Sequence, residues 1–147
     1  MIPLSLPNLN GKEWEYVKEC LDTGWISTAG SFVDRFENEF ANYLEVDGAV
    51  SVVNGTSALH ISLQLLGVEK DDLVIMPNVT FVASANAISY IGADPILIDI
   101  DQNSWQMDLD LLESFLSTDC KLDKSNSLIH KETSRKISAL MIVHVQG

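Results

Sequence analysis

Apolar residues along this chain fall into two rhythms. Four short runs are apolar at nearly every position: Ala49-Val50-Ser51-Val52-Val53, Leu73-Val74-Ile75-Met76, Pro95-Ile96-Leu97-Ile98-Asp99-Ile100 and Ile137-Ser138-Ala139-Leu140-Met141-Ile142-Val143. Their length and β-branched content predict buried strands. Between them the apolar positions recur at helical spacing. Asn10 is placed to cap a helix from about Gly11 to Asp22, with Trp14, Val17 and Leu21 on one face and Gly24 at its end. Ser31 opens a second helix, with Asp34 at the capping-box position and Phe32, Val33, Phe36, Phe40 and Tyr43 as a broad stripe, most simply core. Ala58 to Leu66 is a third, stopped by Gly67. Val82 to Ile91 is a fourth, rich in alanine and serine and ended by Gly92, and Asp108 caps a fifth from Leu109 to Leu116.

Strand and helix alternate, and the strands are apolar on both faces. That predicts an α/β fold, a three-layer α/β/α arrangement with a mostly parallel sheet. Ligands of such sheets bind beyond the carboxyl ends of the strands. Asn54 to Ser57, Asn78 to Phe81, Asp99 to Asp101 and His144 to Gly147 each follow a strand and are expected to gather on one edge. Residues 117–136 change character, with charge, Ser and Asn crowding together. They read as a surface excursion and as the most mobile part of the chain. The loop Trp25 to Gly30 carries a Trp that either packs over the domain edge or lines a pocket or subunit interface.

The stretch with the most chemistry is Asn54-Gly55-Thr56-Ser57, at the junction of the first strand and the third helix. A turn there delivers Thr56 and Ser57 to the first helical turn. The free N–H groups and the positive end of the helix dipole then form an anion site, suited to a phosphate, and the hydroxyls add donors. The same residues are also ordinary turn and cap residues, and both readings stand on local sequence. No Gly-Lys-Ser/Thr follows, and no Gly-x-Gly-x-x-Gly is present, so neither common nucleotide loop is at hand.

Composition narrows the picture further. The 147 residues, 46% of them hydrophobic, suffice for one domain with a real core. A formal net charge of -12 argues against nucleic acid and anionic membrane as partners, and obliges any phosphate site to act locally through dipoles. Cys20 and Cys120 match no metal spacing and read as thiols of a cytoplasmic protein. No apolar run approaches the ~18 residues of a membrane span, and no signal peptide is apparent.

Three motifs together carry a family resemblance: Asn54-Gly55-Thr56-Ser57-Ala58-Leu59-His60, then Pro77-Asn78-Val79-Thr80-Phe81-Val82-Ala83-Ser84-Ala85-Asn86-Ala87-Ile88, then Gly92-Ala93-Asp94-Pro95-Ile96-Leu97-Ile98-Asp99-Ile100-Asp101. In this order and spacing the chain resembles the N-terminal part of the DegT/DnrJ/EryC1/StrS sugar aminotransferases, which are pyridoxal-phosphate enzymes of the aspartate-aminotransferase fold. Trp25 to Gly30 and Phe36-Glu37 fit the opening of that family. Ile129 to Ile137, followed by Val143-His144-Val145, resembles the branch that makes amino sugars on the way to legionaminic acid and similar bacterial surface sugars.

The resemblance implies roles. Gly55, Thr56 and Ser57 would hold the phosphate of pyridoxal 5'-phosphate. Phe81 would stack on the pyridine ring, a contact worth ~1 kcal/mol beyond area burial. His144 would lie near the cofactor edge, or else be a His bonded to backbone. The implied reaction moves an amino group, with glutamate as donor, onto a keto sugar attached to a nucleotide, in a cytoplasmic homodimer whose active sites lie at the subunit interface. The family's catalytic lysine would fall beyond Gly147, and none of this chain's lysines occupies its motif position. The chain is therefore expected to be a single N-terminal portion, residues 1–147, that does not catalyse transamination alone. Two other readings remain at this stage: a sugar dehydratase of the same family, in which His replaces that lysine, and a non-catalytic binding or assembly module.

Overall fold

The computed structural model describes residues 2–3 and 5–145. The chain divides into two compact units, Met1–Ser51 and Val52–Gly147.

The first unit is two helices, α1 (Glu13–Thr23) and α2 (Ser31–Leu44). Gly24 ends α1 in the left-handed region, φ +76°, where only glycine is free of a Cβ penalty. Asn10 does not cap it. The N-cap is Lys12, and the Glu13 carboxylate reaches back to accept the Gly11 N–H at 3.0 Å. That bond secures the chain before the helix, and no side chain caps the free N–H groups of its first turn. Nor does Asp34 complete a capping box. Gly30 is the N-cap of α2 and has no side chain to offer.

The aromatic stripe of α2 is not core either. Phe36, Phe40 and Tyr43 are exposed, and Ala41 is the buried residue of the helix. The rings pair among themselves: Phe36 stacks on Phe40 with centroids 5.7 Å apart, and Tyr16 lies 5.2 Å from Phe32. Trp14, Val17 and Leu21 of α1 are likewise exposed. The Glu37 carboxylate accepts the Ser51 N–H at 2.7 Å and its hydroxyl at 2.8 Å, which holds its pKa below the ordinary carboxylate value. Trp25 lines an open cavity of about 520 Å³ with Thr28, Gly30 and Val33.

The second unit begins with α3 (Gly55–Leu65) and continues through β1 (Leu73–Pro77), α4 (Ala83–Ile91), β2 (Asp94–Ile98), α5 (Leu109–Asp119), β3 (Cys120–Leu122), β4 (Leu128–His130) and β5 (Ile137–Leu140). The run Ala49 to Val53 forms no strand, contrary to expectation. It joins no ladder among the described residues, and Val50 and Val53 are exposed. β-propensity cannot hold a strand whose backbone groups find no neighbour.

The sheet has the order β2-β1-β5 and both pairings are parallel. Central β1 is buried at every position. Its residues alternate between two apolar clusters, as the pleat requires. Val74 and Met76 meet Leu63 of α3 and Ala87 and Ile88 of α4 on one face. Leu73 and Ile75 meet Ile98, Met107, Cys120 and Ile137 on the other, with Leu112, Phe115 and Leu116 of α5 packed against them. Helices on both faces of a parallel sheet give the three-layer α/β/α arrangement. Small residues let α4 lie close to the sheet, so Ser84, Ala87 and Ile88 are all buried. At the sheet's edge β2 is less covered, and Leu97 is exposed. Asp108 caps α5, its carboxylate accepting from the Asp110 and Leu111 N–H groups.

Residues 117–136, expected as a surface excursion, are mostly exposed and hold regular structure. Helix α5 runs on to Asp119, and β3 and β4 pair as an antiparallel hairpin. The Asp123 carboxylate organises the turn by accepting from the Ser125 N–H, the Ser125 hydroxyl and the Ser127 N–H, each at 2.8 Å. Just beyond, Arg135 donates to the carbonyls of Asp71 (2.6 Å) and Asp72 (3.1 Å) and pairs with Asp94 at 2.7 Å. One guanidinium so ties the residues before β5 to the starts of β1 and β2. The polar residues that suggested a solvated loop are the ones that make these ties.

Candidate functional site

Helix α3 begins on a side-chain cap. Asn54 is extended (φ -165°), and its side chain accepts the Ser57 N–H at 2.9 Å. The Asn54 carbonyl accepts the Ala58 N–H at 3.1 Å. Capping therefore consumes the Ser57 amide and leaves those of Gly55 and Thr56 as the free donors of the first turn. A Cβ added at Gly55 would meet no atom within 4 Å, so the space beside this turn is open.

The space in front of that turn is an open cavity of about 540 Å³. Gly55, Thr56, Ala58, Leu59 and Ser62 of α3 form one wall, Thr80, Phe81, Ala83 and Ser84 another, and Val143 contributes from the chain after β5. Two of the four loops expected at the carboxyl edge of the sheet meet here. They do so because β1 delivers residues 78–82 beside the start of α3.

The expected site residues divide. Gly55, Thr56 and Phe81 come together around the cavity. Phe81 is 79% exposed, an aromatic face held in the open rather than packed into a core. Ser57 stays half-buried on the same helical turn but outside the lining. Asp99 to Asp101 do not reach it. The Asp101 carboxylate accepts the N–H groups of Ser104 (2.8 Å) and Asn103 (3.1 Å), which hold its pKa low, and so serves its own turn. His144 is exposed and does not line the cavity, whereas its neighbour Val143 does. Gln146 and Gly147 lie outside the described residues.

Sequence reasoning missed Ser62 and Ser84, and placed Thr80 only as part of the Asn78 to Phe81 loop at the ligand edge. Ser62 lies two helical turns into α3, where a polar residue on an amphipathic helix gives no signal. Thr80 and Ser84 did carry one, an i, i+4 hydroxyl pair across a helix start, but small residues in that stretch were read only as packing.

No charged side chain lines the cavity among the described residues. Its donors are two backbone N–H groups at a helix N-terminus and several hydroxyls. Such a set holds a small anion by dipoles and hydrogen bonds, without a counter-charge. The exposed Phe81 ring offers a face to a flat partner. Together these suit a ligand with a phosphate at one end and a planar ring at the other.

Residues 7–147 match the model of the DegT/DnrJ/EryC1/StrS aminotransferase family. GDP-perosamine synthase of Escherichia coli O157:H7 is 44% identical over 146 residues, which cover 99% of this chain and 35% of that protein. The chain thus spans about a third of the length of this curated relative. Among solved structures, a DegT DnrJ EryC1 StrS aminotransferase from Brucella abortus superposes with a TM-score of 0.75 at 26% identity, covering 90% of this chain and 33% of that one. The PLP-form of Spr1654 from Streptococcus pneumoniae gives a TM-score of 0.70 at 35% identity, over 77% of this chain and 29% of that one.

Proposed function

The chain belongs to the DegT/DnrJ/EryC1/StrS aminotransferase family, and from that premise we propose that it supplies the phosphate- and ring-holding wall of a pyridoxal-phosphate-dependent sugar aminotransferase. The observation that carries this reading is the cavity in which the free Gly55 and Thr56 amides face the same space as the exposed Phe81 ring.

The residues fit the group. The donors are neutral and convergent, as a phosphate at a helix N-terminus requires. Gly55 leaves room for its oxygens, and Phe81 presents a face for a pyridine. Gly55 and Thr56 donate their N–H groups to the phosphate, and the Thr56 hydroxyl adds a donor. Ser57, outside the lining and with its amide committed to Asn54, has only its hydroxyl left to offer the phosphate. Phe81 stacks on the ring and orients it, and Val143 and Leu59 keep water off the apolar side of the cavity. When bound, the pyridoxal group supplies the electron sink for amino transfer.

The substrate we assign is a keto sugar on a nucleotide, with glutamate as amino donor. The name of the Escherichia coli relative narrows the nucleotide to GDP more directly than does the branch resemblance of residues 129–137. We further place the protein in the cytoplasm as a homodimer. Free Cys20 and Cys120 support the compartment, and the exposed apolar residues of α1 and α2 support a second copy. No helix among the described residues is long and apolar enough to cross a membrane.

Gly55→Ala tests the reading most cleanly. A Cβ there meets no protein atom, so the variant folds with an unchanged denaturation midpoint. It intrudes on the phosphate, and affinity for pyridoxamine 5'-phosphate falls about tenfold, the loss of one or two charge-assisted hydrogen bonds. Unchanged affinity would remove the phosphate from this turn. No lysine lines the cavity among the described residues, so the 147-residue chain is expected not to turn over a nucleotide keto sugar by itself. Measured turnover would overturn that expectation.

A further inference from the structure

Phe81 is 79% exposed, so its own packing does little to hold it. The β1–α4 connection, residues 78–82, is anchored at its start by the Asn78 N–H, which donates to the Ile98 carbonyl at 2.8 Å. At its end the Phe81 carbonyl accepts the Ser84 N–H at 3.1 Å. Between these lies a side-chain tie: the hydroxyls of Thr80 and Ser84 are 2.9 Å apart. Ser84 is 5% exposed and is the buried polar residue among those described.

That burial needs a reason. Helix α4 reads Ala83-Ser84-Ala85-Asn86-Ala87, and an alanine at 84 would give the same close packing on the sheet without a hydroxyl to desolvate. A buried hydroxyl costs stability unless it is hydrogen-bonded, and its side-chain partner here is the residue immediately before Phe81. Thr80 is β-branched and stiff at χ1, so fixing its hydroxyl fixes its backbone as well. The constraint passes directly to the next residue.

We propose that the Thr80–Ser84 hydroxyl pair is a positioning latch that presets the Phe81 ring for a planar ligand in the α3–α4 cavity. Ser84 and Thr80 act through Phe81, and their value is preorganisation: a ring already placed loses less freedom when it stacks. The inference rests on the reading that Phe81 receives the cofactor ring, but its first test does not.

Amide hydrogen exchange at Asn78 and Ser84, the two hydrogen-bonded amides that bracket residues 79–82, decides the latch without any ligand. Ser84→Ala and Thr80→Val each remove one hydroxyl at nearly constant shape. Exchange at these amides is expected to quicken at least about threefold in both, as the loss of one hydrogen bond predicts, with β1 and the second half of α4 unchanged. The double variant should be no faster than the singles, because both remove the same bond. Thr80→Ser keeps the hydroxyl and should retain slow exchange. Unchanged exchange in both single variants overturns the latch.

Pyridoxamine 5'-phosphate supplies the second arm, read by its own fluorescence and by the circular dichroism that stacking induces. Ser84→Ala and Thr80→Val are expected to weaken binding about fivefold and to diminish the induced signal. Phe81→Leu should weaken it too. Loss in Phe81→Leu with none in the hydroxyl variants overturns the positioning role. No loss in Phe81→Leu overturns the ring reading instead, and the exchange rates still decide whether the pair holds the loop.

Discussion

Helices α2 and α4 are both strongly apolar along one face, and only one of them uses that face as core. In α4 the residues against the sheet are small, and Ser84, Ala87 and Ile88 are sealed between β1 and α3. In α2 the residues are large, yet Phe36, Phe40 and Tyr43 remain in solvent with their rings leaning on one another. Periodicity states that a face is apolar. It does not state what covers the face. The sheet covers α4 because β1 and β2 flank that helix in sequence, so short connections bring the layers together. α2 has no strand beside it in its own unit.

The largest expected effect follows directly. Ile88→Ala in α4 empties a fully buried site and should cost about 3 kcal/mol in denaturant unfolding, within the usual range for such truncations. Phe40→Ala in α2 removes a larger side chain and should cost well under about 1 kcal/mol in the unassociated chain. If the two costs are equal, α2 is covered in solution by something that α4 does not need.

The helix ends sharpen the contrast. α4 stops on Gly92 at φ +82°, where an added Cβ would come within 3.0 Å of the Lys70 side chain. Gly92→Ala should therefore destabilise by about 1–2 kcal/mol, the cost of a left-handed residue with a side chain. α2 stops on Glu45, also left-handed, at φ +55°. Glu45→Gly should relieve that strain and stabilise by up to about 1 kcal/mol, visible as a raised denaturation midpoint.

Acid is a gentler probe. The Glu37 carboxylate of α2 has its pKa lowered, first by the Ser51 N–H and then by the Ser51 hydroxyl. A group with a depressed native pKa contributes above its unfolded value and loses the contribution as pH falls through the native one. The tie between α2 and Ser51 should thus be intact at neutral pH and released on acidification below the ordinary carboxylate range. α4 carries no carboxylate or histidine and should show no such step. Amide exchange at Ser51 across that pH range checks this, and Glu37→Gln should abolish the step.

The smallest effect concerns thiols. Burial raises the Cys120 pKa in the lower core, whereas Cys20 of α1 is half-exposed. Cys20 should react with a thiol reagent several-fold faster at mildly alkaline pH. Equal rates would mean that the hairpin opens as readily as α1 is exposed.

Much of the second unit was legible because its signals are local. The apolar run Leu73 to Met76, the left-handed Gly92 and the Asp108 cap each work within a few residues, and each element formed where its pattern lay. The Asn54 cap was legible for the same reason: Asn54 and the residues after it act on their own helix start. The misses needed a partner from elsewhere. Ala49 to Val53 has the composition of a strand and no ladder to join. Ser125, Ser127 and Arg135 look like solvated polar chain until Asp123 and the Asp71 and Asp72 carbonyls are placed beside them. Asp101 and His144 each follow a strand, yet their side chains stay outside the cavity.

By itself, then, the sequence determined the helices and the strands β1, β2 and β5, the alternation that makes a parallel sheet, and the donors at the start of α3, but neither the missing partner of Ala49 to Val53 nor the pairing of β3 with β4. Propensity, capping and pleat are properties of neighbouring residues, so they are written in order along the chain. Tertiary structure decided which apolar faces are buried, and which strand-end residues share a cavity. It also set the buried hydroxyl of Ser84 against the residue that precedes Phe81. Those outcomes depend on pairing and packing between elements far apart in sequence, whose loop-closure cost is offset only when the complementary surface is present.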